Sequence, residues 1–229
     1  MILYMVVNYL SHFLLTEKLA PLLNESNKTK IVQVASLGSF AVAGTDLSPS
    51  TAQGNPIASQ PGGNTGFTIG RDVRAYGNSK LAQVLHARAL SRRNRRWKVV
   101  STCPQWVASE IVAKSTNFVN DWFYQLLAYP CNGYGINSVL KAVLATDEEG
   151  DFFTNTHLGC VALLDRIPQL LYTHAPVRDS MIWVVGTMVL LYQRWLPTGK
   201  TTTSSMASYN ESLQEELYEW SLSEVSPWL

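Results

Sequence analysis

The sequence predicts an α/β fold organised on parallel strands, and two observations carry that expectation. Residues 30–36 and 97–103 are short runs rich in β-branched residues and nearly continuous in apolar character, as expected of strands covered on both faces. Between them, residues 74–94 place Leu81, Val84, Leu85 and Leu90 at helical spacing, with Ala87 and Ala89 beside them. Parallel neighbours need a crossover of about a dozen residues or more, and a helix is the usual one. Strand, helix, strand is therefore the expected centre of the chain.

Composition sets the bounds. A chain of 229 residues is expected to fold as one domain around a sizeable core. Apolar residues make up 46% and charged residues 15%, with a net charge of +1. That balance argues against a nucleic-acid partner, which would need a basic face. Cys103, Cys131 and Cys160 are odd in number and widely spaced. No metal-ligand spacing links them, so structural thiols in a reducing, cytoplasmic setting are expected, with no metal.

Taken in order, residues 3–23 read as a first helix. Val6, Leu10, Phe13, Leu14 and Leu22 make its apolar face, while Thr16, Glu17 and Lys18 turn away. The apolar start lacks a basic segment, and Asn8, Ser11 and His12 interrupt it before any cleavage-like site, so a domain helix explains it better than a signal peptide. Asn8, taken alone, is a capping or solvent-facing amide. Strand 30–36 ends in Ser36. Ligands of open α/β sheets bind beyond the carboxyl ends of strands, which suits a hydroxyl that donates to a carbonyl; Ser39 is the nearby competitor.

Residues 37–73 are rich in turn formers and nearly free of core residues. They read as a loop insertion, either on the surface or covering a substrate. Helix 74–94 ends in Arg88, Arg92, Arg93, Arg95 and Arg96. Cations suit a helix C-terminus, and a solvated basic end is expected.

After strand 97–103, residues 117–129 are aromatic, which fits either core packing or a pocket for an apolar substrate. A helix is expected over 135–146, then a polar turn at 147–151 and an edge strand at Phe152 and Phe153. Residues 160–207 form an apolar insertion. Its run 181–192 is too short to span a bilayer, which takes about 17–25 residues. Trp183 and Trp195, with Arg178, Arg194 and Lys200, flank it. Residues 178–200 thus read as a buried helix, a peripheral contact with an intracellular membrane, or a partner surface. Residues 208–224 form a terminal amphipathic helix, with Ser208 and Glu211 as a capping box and Leu213, Leu217 and Trp220 as the stripe.

The chemistry gathers at Tyr76-Gly77-Asn78-Ser79-Lys80. Four residues of helix put the ammonium one turn from the phenol. A nearby cation lowers a phenol from its usual value of about 10 and makes it a usable acid and base. Chance alone supplies about a third of such a pair at this composition. The company of the motif therefore decides.

Strand, Ser36, Tyr76 and Lys80 on a helix, a second strand and Pro104 follow one another, and Val7-Asn8 through Phe13 precede them. That order resembles the catalytic half of the short-chain dehydrogenases/reductases, nearest their retinol- and steroid-acting branch. Leu217-Tyr218-Glu219-Trp220-Ser221 is similar to the terminal helix of the retinol dehydrogenase and WW-domain oxidoreductase members. The resemblance covers most of residues 1–159 and then 208–224.

The resemblance implies a truncated, Rossmann-type doubly wound parallel sheet with strands equivalent to the family's fifth to seventh. It implies hydride transfer between NAD or NADP and an apolar alcohol or carbonyl substrate. Tyr76 would be the acid/base; Lys80 would lower its pKa and bond the nicotinamide ribose. Ser36 would polarise the substrate oxygen, and Asn8 would hold a water linked to the lysine. Pro104, Val107 and Ser109 would join Tyr76 and Lys80 in binding the cofactor. Gln105 stands where the family has glycine, and a side chain in a left-handed conformation costs about 1–2 kcal/mol.

The family's Gly-rich turn, which binds the dinucleotide pyrophosphate at a helix N-terminus, does not occur in this sequence. Strand 30–36 is then expected at an open apolar edge, which keeps a homo-oligomer open. The rival expectations are a catalytically silent remnant that acts as a binding or membrane-associated protein, and a truncated gene model.

Overall fold

The two strands read from the sequence pair with each other. The computed structural model describes residues 3–49, 69–105, 107, 136–144, 152–154, 184, 200–202 and 204–229. In it β1 (Lys30–Val34) runs parallel to β2 (Lys98–Cys103), with Ile31 opposite Val99 and Val34 opposite Thr102. β2 also runs parallel to β3 (Phe152–Thr154), and β3 pairs antiparallel with β4 (Lys200–Thr202). The chain is thus a mixed α/β fold whose small sheet has the order β1-β2-β3-β4 and is flanked by helices. Phe152 and Phe153 are interior and not at the edge, because β4 adds a partner beyond them. β1 is the edge instead: among the described residues no strand pairs with its outer flank, and Val34 is 43% exposed.

The first helical rod starts at Leu3, widens into a π-turn at Val6–Leu10 and continues as α1 (Ser11–Glu25). Tyr9 and Phe13 are buried, whereas Val6 and Leu22 are exposed. The π-turn adds a residue to its turn, so a constant 3.6-residue spacing misplaces Val6. Leu22 lies nine positions beyond Phe13, on the opposite side of the rod.

The central crossover is α2 (Ile69–Arg93), which begins five residues before its expected start. Leu81, Val84, Leu85, Ala87 and Ala89 are fully buried. A helix buried on nearly every side must be covered on every side. Here the sheet, the first rod and the terminal helix α4 (Glu211–Val225) supply the cover. Between α2 and α4 in sequence, α3 (Asn137–Leu144) packs across β1, β2 and β3.

Three expectations need correction. The start of the 37–73 segment is not free of core: Ser39, Phe40, Val42 and Leu47 are buried in or beside two 3-10 turns, Leu37–Ala41 and Thr45–Leu47. The basic end of α2 is not simply solvated, because Arg92 and Arg93 pair with Glu215 at 2.6 and 2.7 Å and Arg93 also meets Glu219. The N-cap of α4 is Asn210, whose side chain accepts from the Leu213 N–H at 3.2 Å. Ser208 lies instead, buried, in the 3-10 turn Met206–Tyr209 and donates to the Ser205 carbonyl.

Among the described residues no helix is long and apolar enough to cross a membrane. Residues 117–129, Ser109, Cys131, Cys160 and all of 178–200 except Val184 and Lys200 lie outside the described residues.

Candidate active site

The site is built where β1 and β2 end. Parallel strands deliver their carboxyl ends to one side of the sheet, so Ser36 and Pro104 emerge close together. Ser36 has extended backbone and caps the 3-10 turn Leu37–Ala41, its hydroxyl accepting from the Gly38 N–H at 3.2 Å. Two glycines then let α2 press onto that turn. A Cβ on Gly77 would stand 2.7 Å from the Gly38 carbonyl oxygen, and a Cβ on Gly38 would stand 3.3 Å from the Tyr76 ring. The first contact would force the backbone apart and the second would push the Tyr76 ring back by a few tenths of an ångström, so the glycines bring Tyr76 to Ser36.

The Tyr76 ring and the Ser36 hydroxyl flank Gly38, at 3.3 and 3.6 Å from the point where a Cβ would stand, so the two side chains adjoin. Tyr4 meets the Tyr76 ring edge-on, with centroids 5.9 Å apart. Burial pushes the Tyr76 pKa up, and the Ser36 hydroxyl offsets only part of that rise. Lys80 Nζ lies 5.6 Å from the centroid of the phenol ring. It donates to the Val34 carbonyl at 3.1 Å and to Gln83 Oε1 at 3.0 Å. Burial holds the ammonium below its ordinary pKa, and Cys103 opposes that shift. The lowered phenol expected from the Tyr76–Lys80 spacing is not what the structure gives: burial raises Tyr76, and Ser36, not Lys80, is the group that opposes the rise.

Asn8 sits on the π-turn. Its Nδ2 donates to Ser79 Oγ at 3.0 Å, and its main-chain carbonyl accepts from Gln83 Nε2 at 2.6 Å. Asn8 therefore reaches Lys80 through the Gln83 side chain. Gln83 was invisible as a site residue in the sequence, where it reads as one more polar position on a helix. Its signal was its place three residues after Lys80, on the same helix face.

Cys103 is the second residue that sequence reasoning missed. Its sulfur accepts from the Leu37 N–H at 3.2 Å and the Gln105 N–H at 3.3 Å. Burial nevertheless pushes its pKa up. The available signal was position: the last residue of a strand, next to Pro104, faces the crevice where Ser36 was placed. Gln105 has φ = 70°, the left-handed conformation that glycine would adopt without strain. Its side-chain amide donates to Thr154 Oγ1 on β3. Pro104 and Val107 follow β2 as expected, while Ser109 lies outside the described residues.

No protein-family model matches this chain, and no curated protein matches it. Among the described residues no cluster of His, Cys, Asp and Glu could hold a metal ion. For a nicotinamide coenzyme the donors fit one end. An ammonium carries three protons, two of which Lys80 directs at Val34 and Gln83, leaving donor capacity suited to a ribose hydroxyl. No glycine-rich strand–turn–helix that would cradle a pyrophosphate occurs among the described residues. Chemically, the site offers two adjoining hydroxyls and a cation, a set able to hold a carbonyl oxygen and exchange a proton with it.

Proposed function

We propose that this chain carries the catalytic site of a nicotinamide-dependent oxidoreductase of the short-chain dehydrogenase/reductase type. It would interconvert an apolar alcohol, retinoid- or steroid-like, with its carbonyl. The observation that carries this reading is the convergence of the Ser36 hydroxyl and the Lys80 ammonium on the Tyr76 ring, with Lys80 Nζ 5.6 Å from its centroid. On the same reading, β1, β2 and β3 correspond to the fifth to seventh strands of a doubly wound sheet, and β4 is a departure from it.

In the proposed reaction the bound coenzyme supplies or accepts the hydride. Ser36 and Tyr76 hold the substrate oxygen between them. Tyr76 gives that oxygen a proton in reduction and takes one in oxidation. Its raised pKa keeps the phenol protonated at neutral pH, which supports the proton-donor half of the cycle. Lys80 places positive charge beside the phenolate that remains and offers a donor to the ribose. Asn8 and Gln83 hold the lysine in place.

A second reading is a catalytically silent chain that binds and does not turn over. Gln105 favours it, because a strained side chain stands where the resemblance calls for glycine. A panel of apolar alcohols and carbonyls, followed at the nicotinamide absorbance with millimolar NAD(P)(H), separates the two. Turnover that falls by about 100-fold or more in Tyr76→Phe is expected of the enzyme. No turnover with any member of the panel would favour the silent chain.

A further inference from the structure

Gln83 joins the two ends of the candidate site. Its side-chain oxygen accepts from Lys80 Nζ at 3.0 Å, and its nitrogen donates to the Asn8 carbonyl at 2.6 Å. The residue is 2% exposed. The Asn8 carbonyl is within reach because it lies on the π-turn Val6–Leu10, where the widened ladder admits an outside donor. The same nitrogen stands 3.4 Å from His12 Nδ1, a weaker contact than the one to the carbonyl.

We propose that Gln83 is a positioning residue of this site: its amide fixes Lys80 and fills the gap between the lysine and the Asn8 carbonyl. An amide donates from nitrogen and accepts at oxygen. A water does both at a single atom and can hand a proton on; the amide holds the lysine without doing so. The position of Nζ, 5.6 Å from the centroid of the Tyr76 ring, then follows from two anchors, the Val34 carbonyl and Gln83 Oε1. Three titratable groups face Lys80 or its anchor. Cys103 lies at the end of β2, Tyr76 on the same helix, and His12 across the amide on α1. The catalytic meaning of this bridge rests on the oxidoreductase reading, whereas the bridge itself does not.

The test reads Lys80 directly. Chain labelled with 13C-lysine is titrated by NMR, with the Lys80 Cε signal assigned by Lys80→Arg. Gln83→Glu sets a carboxylate against the ammonium and should raise the Lys80 midpoint by about 1–3 pH units. Gln83→Met keeps the length of the side chain but removes both hydrogen bonds, so the midpoint should fall as burial acts without an acceptor. In the unmodified chain the Gln83 side-chain amide resonance should follow the same midpoint as Lys80. If Gln83→Met does not fold, Gln83→Glu and the unmodified chain still decide. A Lys80 midpoint that does not move in the folded variants, or an amide resonance that does not follow Lys80, overturns the proposal. The titration needs neither coenzyme nor substrate. Absent turnover therefore counts against the proposed function alone, and an unmoved midpoint counts against Gln83 alone.

Discussion

His86 should make this protein acid-sensitive in a window where its carboxylates are still ionised. The imidazole is buried, 4.8 Å from the Phe13 ring centroid and 5.9 Å from that of Tyr9. Its Nδ1 lies 3.3 Å from Gln33 Nε2, a donor, so the ring proton belongs on Nε2. Burial first, and His12 second, hold its pKa down from 6.5 to about 3. The folded value lies below the unfolded one, so the neutral ring contributes its full stability above about pH 6.5 and loses it as pH falls toward 3. Linkage puts the loss at about 2 kcal/mol by pH 5 and roughly 4–5 kcal/mol below pH 3.

Urea unfolding at about pH 7.5 and about pH 5 measures it, on the unmodified chain and on His86→Phe. The phenyl ring suits the aromatic surroundings but leaves the Gln33 amide without its acceptor, which costs about 1–3 kcal/mol at both pH values. Absolute stability should therefore fall in His86→Phe, while its drop between the two pH values shrinks by about 2 kcal/mol. An equal drop in both proteins would refute the burial argument.

Two further outcomes follow from the packing. Gly77→Ala gains about 1 kcal/mol of helix propensity, yet its Cβ would press on the Gly38 carbonyl; a net loss of stability in urea unfolding is expected, and a net gain would show that the turn yields freely. Asn210→Ala removes the cap of α4 and should cost about 0.5–2 kcal/mol, whereas an unchanged value would mean that the Glu211–Val225 helix is set by packing alone.

The parallel pairing of β1 with β2 was legible because both strands are β-branched runs separated by one long helical pattern. The approach of Tyr76 to Ser36 was expected from the family resemblance of the motif order, with Ser36 placed beyond the carboxyl end of a strand. Gln83 and Cys103 were not. What makes them part of the site is distance in space, set by a π-turn and by two glycine contacts that periodicity cannot register. Tyr76 shows the same limit in energetic form. Spacing from Lys80 argued for a lowered phenol, but burial, which depends on everything packed around α2, raises it instead. The cap of α4 was missed for a local reason: Ser208 and Asn210 are both good cap residues, and only the 3-10 turn before the helix selects the second.

Hydride transfer itself is the most direct test of the central claim. The chain is incubated with an apolar ketone or aldehyde and millimolar NADH or NADPH deuterated at the transferable position, and the alcohol product is analysed by mass spectrometry. Binding is expected to be weak, because the sequence carries no Gly-rich turn of the kind that cradles a pyrophosphate. The account predicts an alcohol carrying one deuterium, lost in Tyr76→Phe and strongly reduced in Ser36→Ala. A deuterated product undiminished in Tyr76→Phe, or none from any carbonyl offered, would contradict it.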